Sequence, residues 1–154
     1  MHIEVDDLSR PAVLALLEEH LTDMYAITPA GSVHALDVAR LKGPNVTFWT
    51  VWNGDALLGC GALQELARDH GEIKSMRTPR ARRRAGAGRV VLEHIIAVAR
   101  SRGYRRLSLE TGATEHFVPA QRLYESFGFA RCGPFGDYRA DPHSVFMTLE
   151  LANH

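Results

Sequence analysis

The run Arg83-Arg84-Ala85-Gly86-Ala87-Gly88 constrains this chain more than any other stretch. It follows a strand-like segment, Gly71 to Thr78, and opens a helix-like segment, Arg89 to Arg102. Two glycines one residue apart let the backbone approach a ligand with no Cβ in the way. The first-turn N–H groups of the helix have no partner inside the helix, and the dipole makes that end positive. With arginines on its approach, the unit is an anion site suited to a pyrophosphate. The spacing narrows the kind of phosphate binder. A Walker A loop needs Lys-Ser or Lys-Thr after its last glycine, and Gly88 is followed by Arg89-Val90. A dinucleotide fingerprint needs a third small residue where Val91 stands. What remains is Arg-x-x-Gly-x-Gly, Arg83 to Gly88; alone, it is also readable as a solvated basic turn.

The 154 residues suit a single domain, 1–154, large enough for one hydrophobic core. Basic and acidic residues number 18 each, so the net charge is zero. That balance argues against a nucleic-acid or membrane-surface partner. Positive charge is local instead, with Arg77, Arg80, Arg82, Arg83, Arg84 and Arg89 around the glycines. Two cysteines build no disulfide framework, and Cys60, among small and apolar neighbours, reads as a buried thiol. The N-terminus lacks the basic and apolar regions of a signal peptide, and no apolar run approaches a membrane span, so a cytoplasmic protein is expected. The histidines, His70 and His116 among them, show no zinc-ligand spacing, and no metal is expected.

Periodicity and turn signals give an order of elements. His2 to Val5 alternates as a strand. Ser9 is a candidate N-cap for a helix carrying Leu14, Leu17, Leu21 and Met24 at helical spacing. His34 to Leu41 reads as a short second helix. Val46 to Trp52 and Ala56 to Leu66 form a hairpin about Asn53-Gly54. After the Gly71–Thr78 strand, the third helix sets Val91, Leu92, Ile95, Ile96 and Ala99 on one side. Arg106 to Thr111 is a strand, Pro119 to Phe127 a short helix, and Ala130–Cys132 and Val145–Leu151 the last two strands.

Two separated motifs, Arg83–Gly88 and Leu123-Tyr124-Glu125-Ser126-Phe127-Gly128-Phe129, in this β-α-α-β-β-β-α-β-α-β-β order, resemble the GCN5-related N-acetyltransferase family. The likeness runs along nearly the whole chain and is strongest from Gly71 to Phe129. It implies an α/β (α+β) fold: a mixed six- to seven-stranded sheet with splayed central parallel strands, flanked by about four helices. The implied cofactor is acetyl-CoA, its pantetheine arm lying in the splay. The implied cofactor contacts are Met76, Arg77, Thr78, Arg83, Arg84, Ala85, Gly86, Ala87, Gly88, Arg89, Thr111, Gly112, Ala120 and Phe127. The sequence departs from the family at Phe117, where an asparagine is common, and at Arg84, Ala85 and Ala87.

The same resemblance assigns chemistry. Glu72, eleven positions before Arg83, is the candidate base. Strand alternation is expected to put Glu72, Lys74, Met76 and Thr78 on one face, and Glu72 is also readable as a carboxylate paired with Lys74. Tyr124 is the candidate acid for the departing thiolate, and the Met76 N–H the oxyanion donor. The acceptor side is expected at Met24, Tyr25, His34, Phe117, Phe135 and Tyr138, with His34 open as a second base. The implied activity is direct N-acetylation of a small-molecule or amino-acid-like amine. A peptide acceptor and a non-catalytic acyl-CoA-binding module stand as alternatives. The last strands are expected as sheet edges that suit a homodimer.

Overall fold

The computed structural model describes residues 1–82 and 85–151; Arg83 and Arg84, expected in the cofactor loop, lie outside the described residues. The elements are β1 (His2–Val5), α1 (Pro11–Ile27), α2 (Val38–Leu41), β2 (Val46–Asn53), β3 (Ala56–Ala67), β4 (His70–Arg77), α3 (Ala87–Ser101), β5 (Arg106–Gly112), α4 (Val118–Ser126), β6 (Ala130–Cys132) and β7 (Ser144–Glu150). They build one seven-stranded mixed sheet in the order β1-β2-β3-β4-β5-β7-β6. Among the described residues only the β4–β5 pair is parallel.

The sheet buries both faces. Val91, Leu92, Ile95, Ile96 and Ala99 of α3 are buried together, as their spacing predicts, against Leu63, Ile73, Leu107 and Leu109. On the other face Val13, Leu16 and Leu17 of α1 and Leu41 of α2 pack on Phe48, Trp52, Cys60 and Ala62. The buried stripe of α1 is therefore rotated from the expected one. Leu14 is exposed, and Leu14, Leu17 and Leu21 border a shallow surface groove with Tyr25 and Val38.

Local chemistry corrects other boundaries. Ser9 does not cap α1; its hydroxyl bonds Asp7, Arg10 holds the cap position with no side-chain cap, and Pro11 stands at the first turn. The second helix is only one turn long, because Asp37 caps it by accepting from the Arg40 N–H at 2.8 Å. Of the two last strands only β6 is an edge, since β7 lies between β5 and β6.

Two irregularities position the site. The parallel ladder runs from His70↔Arg106 to Ile73↔Leu109 and stops. β4 continues against β3 to Arg77, and β5 continues against β7 to Gly112, so their C-terminal halves part with unpaired backbone facing the gap. Within the parted half, Ser75 has φ 54 and the β3–β4 register shifts between Cys60 and Ala62. That is a bulge on β4, a device that re-aims the side chains after it.

Candidate active site

A cavity of about 950 Å³ fills the parting of β4 and β5. It is at the upper end of the range of small-ligand sites, roughly 300–1,000 Å³. It runs from the N-terminus of α3 to the loops after α1 and before β7.

At one end lie Gly86, Ala87, Gly88 and Arg89. Gly86 is the N-cap of α3 at φ 86, a left-handed conformation natural to glycine. It offers no side-chain cap, and the first turn has no acidic residue. The orphan N–H groups of this turn are thus left for an anionic ligand. Arg89 stands in the same turn, its guanidinium 4.9 Å from the Phe127 ring centroid. Phe127 itself, and Ala85, are outside the cavity lining, while Met76, Arg77, Thr78, Thr111, Gly112 and Ala120 are in it.

The bulge breaks the expected alternation. Glu72 and Lys74 face the α1 side. Met76 faces α3: a Cβ built on Gly61 would meet Met76 Sδ at 2.7 Å and Val91 Cγ1 at 2.6 Å. The Arg77 guanidinium turns to α1, where it binds Glu19 Oε1 at 2.7 Å and Asp23; Arg80 binds the same two carboxylates. Its side chain braces α1 to β4.

Four acidic or phenolic groups, Glu72, Glu110, Tyr124 and Tyr138, line the cavity. Tyr124 on α4 is buried, and burial first, then the nearby Glu110 charge, push its hydroxyl well above the usual phenol range. It stays protonated as a proton donor. Glu110 on β5 also lines the cavity; burial raises its carboxyl to about 7. Glu72 is 4% exposed. Its Oε2 accepts from the Tyr138 hydroxyl at 2.5 Å and from Lys74 Nζ at 3.3 Å, and Lys74 also donates to the Tyr138 oxygen at 2.9 Å. Burial and the Glu72 charge hold Tyr138 protonated.

Sequence reasoning missed Glu110 and Gln121. Glu110 sits one residue before the expected Thr111-Gly112, and its chemistry arises from burial in the parting. Gln121 is buried one helical turn before Tyr124; its Nε2 donates to the Gly112 carbonyl at 2.8 Å and its Oε1 accepts from Arg131 at 3.2 Å. It ties α4 to the end of β5.

The far end is lined by Met24, His34, Phe117 and Tyr138, as expected. Tyr25 and Phe135 are not in the lining. Tyr25 is 59% exposed in the surface groove, and Phe135 packs behind Tyr138 against His70 and Phe146. Phe117 lies across Gly112, where a Cβ would fall inside its ring. A roof covers this end. Ser32 Oγ donates to Asp141 at 2.5 Å, and the His34 ring meets the Tyr138 ring edge-on at 4.9 Å. Burial, then Lys74, lower the pKa of His34, which is uncharged at neutral pH.

Neither cysteine lines the cavity. Cys60 is buried, donates to the Ser75 carbonyl at 3.3 Å, and burial pushes its thiol up to about 12.

An uncapped helix N-terminus, a parted sheet, a buried phenol and a carboxyl of raised pKa share one cavity. The chain belongs to the acetyltransferase (GNAT) family, whose model matches residues 13–129. It is 56% identical over 151 residues to the uncharacterized N-acetyltransferase YsnE of Bacillus subtilis (strain 168), covering 98% of this chain and 100% of that protein. It is 49% identical to the uncharacterized N-acetyltransferase YedL of Escherichia coli (strain K12), covering 99% and 96%. Its fold matches that of a Bacillus subtilis acetyltransferase solved in complex with CoA, with a TM-score of 0.68, 18% identity, and 98% and 99% of the chains covered. The chain is thus an acyltransferase of the GNAT type, with the seven-stranded mixed sheet and four helices of that fold. No described helix is long and apolar enough to cross a membrane.

Proposed function

We propose that this enzyme transfers the acetyl group of acetyl-CoA directly to the primary amine of a small molecule. The observation that carries the reading is the meeting of Glu110 and Tyr124 in one cavity that begins at the uncapped N-terminus of α3. The first-turn N–H groups and Arg89 hold the pyrophosphate. The unpaired edges of β4 and β5 pair with the pantetheine amides. The roof over the far end favours a small acceptor over a peptide segment.

In this reading Glu110 is the base. An alkylammonium near pKa ~10 has no lone pair. A carboxylate titrating near neutrality accepts its proton at working pH. Glu72 is less suited, because one of its oxygens already takes two donors. It serves to hold Lys74 and Tyr138. The freed amine attacks the thioester carbon, and the Met76 N–H stabilises the oxyanion. As the intermediate collapses, the C–S bond breaks and Tyr124 gives its proton to the leaving sulfur. The phenolate then takes the proton that the new amide nitrogen sheds. One proton in all is left on Glu110 for release to water. The buried Cys60 thiol offers no route through an acyl-enzyme.

The test is thiol release from acetyl-CoA across panels of small amines and short peptides, with Tyr124→Phe beside the parent. Release with small amines, and a turnover loss of roughly a hundredfold or more in the variant with acetyl-CoA affinity kept, is the expected outcome. Full activity in Tyr124→Phe removes the assigned acid. Release with peptides alone moves the acceptor class.

A further inference from the structure

The buried charges of the acceptor end pair off among the described residues, and Glu110 does not join them. Arg77 and Arg80 are matched by Glu19 and Asp23 in a four-residue network. Lys74 is matched by Glu72 at 3.3 Å, with side chains only 9% and 5% exposed. His20 and His34 are uncharged at neutral pH, since burial lowers both. His116 and His143 stand exposed at the rim, and Asp141 there is tied to Ser32, where water screens their fields. Glu110, on β5 in the parting, has no cation within ion-pair distance among the described residues; the positive charge it feels is Lys74, which already pairs with Glu72. The rest of this end is uncharged: Met24, Ile27, Val33, Phe117 and the ring of Tyr138.

In a partly enclosed cavity a ligand charge costs least when it meets an opposite charge that is still unpaired. One positive group on the acceptor balances Glu110. A carboxylate on the same acceptor restores the imbalance, because Lys74 is already spent on Glu72. A second ammonium creates an imbalance of the other sign. We propose that the acceptor is a monoamine whose remaining body is uncharged and largely apolar, rather than an amino acid or a polyamine. This rests on the acetyl-transfer reading above and narrows its substrate class.

The experiment compares matched acceptors with the full chain: phenethylamine against phenylalanine, and pentylamine against aminohexanoate and cadaverine. The readout is kcat/KM from thiol release. The monoamines are expected to exceed their charged counterparts by about tenfold or more. A second readout does not need turnover. Binding of phenethylamine to the CoA complex at pH 7, followed by calorimetry in buffers of different ionisation enthalpy, should release protons from the parent enzyme as Glu110 ionises. Glu110→Gln should abolish this release. If phenylalanine, aminohexanoate or cadaverine matches its monoamine, the proposal falls and acetyl transfer stands. If no amine releases thiol or binds while acetyl-CoA still binds, the acetyl-transfer reading falls and takes the proposal with it.

Discussion

The Tyr138 hydroxyl donates to Glu72 Oε2 at 2.5 Å, joining the loop before β7 to the middle of β4. Lys74 donates to both partners, so the three form a closed buried unit. A carboxylate held this way is a fixture of the wall more than a group free to take a proton. Glu110 differs: burial raises its pKa against the weaker opposing pull of the Ser144 hydroxyl and Lys74. Glu110→Gln is therefore expected to lower kcat by roughly a hundredfold or more. Glu72→Gln should keep kcat within about tenfold of the parent while raising KM for the amine, since Lys74 is left without its counter-charge. Steady-state kinetics on the two variants separate the roles; a larger kcat loss in Glu72→Gln reverses them.

The raised pKa of Glu110 sets a pH dependence. The rate constant kcat/KM should climb with pH through a midpoint near 7 as Glu110 loses its proton, and Glu110→Gln should lack that limb. Stability runs the other way. The native carboxyl holds its proton up to about 7, whereas the unfolded one releases it near 4.5. Between these values the native state binds more protons, so stability falls as pH rises through the window. Glu110→Gln should thus raise Tm near pH 8 and change it little near pH 4. Equal shifts at both pH values would place the carboxyl in solvent.

The strand–glycine–helix unit was legible because Gly86 and the buried stripe of α3 follow from local rules of conformation and periodicity. The short helix carrying Tyr124 was legible by its place before Phe127-Gly128-Phe129, and the buried Cys60 by its small apolar neighbours. The bulge at Ser75 was not. A serine at φ 54 has no sequence mark, and the extra residue turned Met76 away from Glu72 and Lys74. Glu110 was hidden for a different reason. A glutamate in an alternating strand looks solvated until the parting of β4 from β5 and the loops above it remove the water. Tyr25 and the α1 stripe erred together, because the helix presents Val13, Leu16, Leu17 and His20 to the sheet and leaves Tyr25 outside.

Gly112 and Phe117 make a coupled pair in the cavity wall. The Phe117 ring occupies the space in which a Cβ on Gly112 would stand. Gly112→Ala is expected to destabilise the protein by about 1–3 kcal/mol and to displace the ring. Phe117→Ala makes room, so the double variant should recover part of that loss. A double-mutant cycle from chemical denaturation measures the coupling. Strict additivity would mean that the ring moves aside freely.

His20 predicts an acid response that opposes the Glu110 one. It is buried on α1 with Nδ1 unpartnered, and burial first, then Arg77, lower its pKa from 6.5 to about 4. Between these values the unfolded chain takes up a proton that the native state refuses. Stability contributed by the uncharged imidazole is therefore present above 6.5 and lost as pH falls toward 4. In the same range falling pH protonates Glu110 and stabilises the fold, so the parent shows a shallow net slope. His20→Leu leaves Glu110 in place and removes the opposing group together with an unpaired buried nitrogen. It should raise Tm near pH 5 by more than near pH 7.5, and steepen the remaining gain in stability toward acid. Thermal melts of the parent, His20→Leu and Glu110→Gln across that range resolve the two contributions. An unchanged pH profile in His20→Leu would mean that the imidazole already reaches water in the native state.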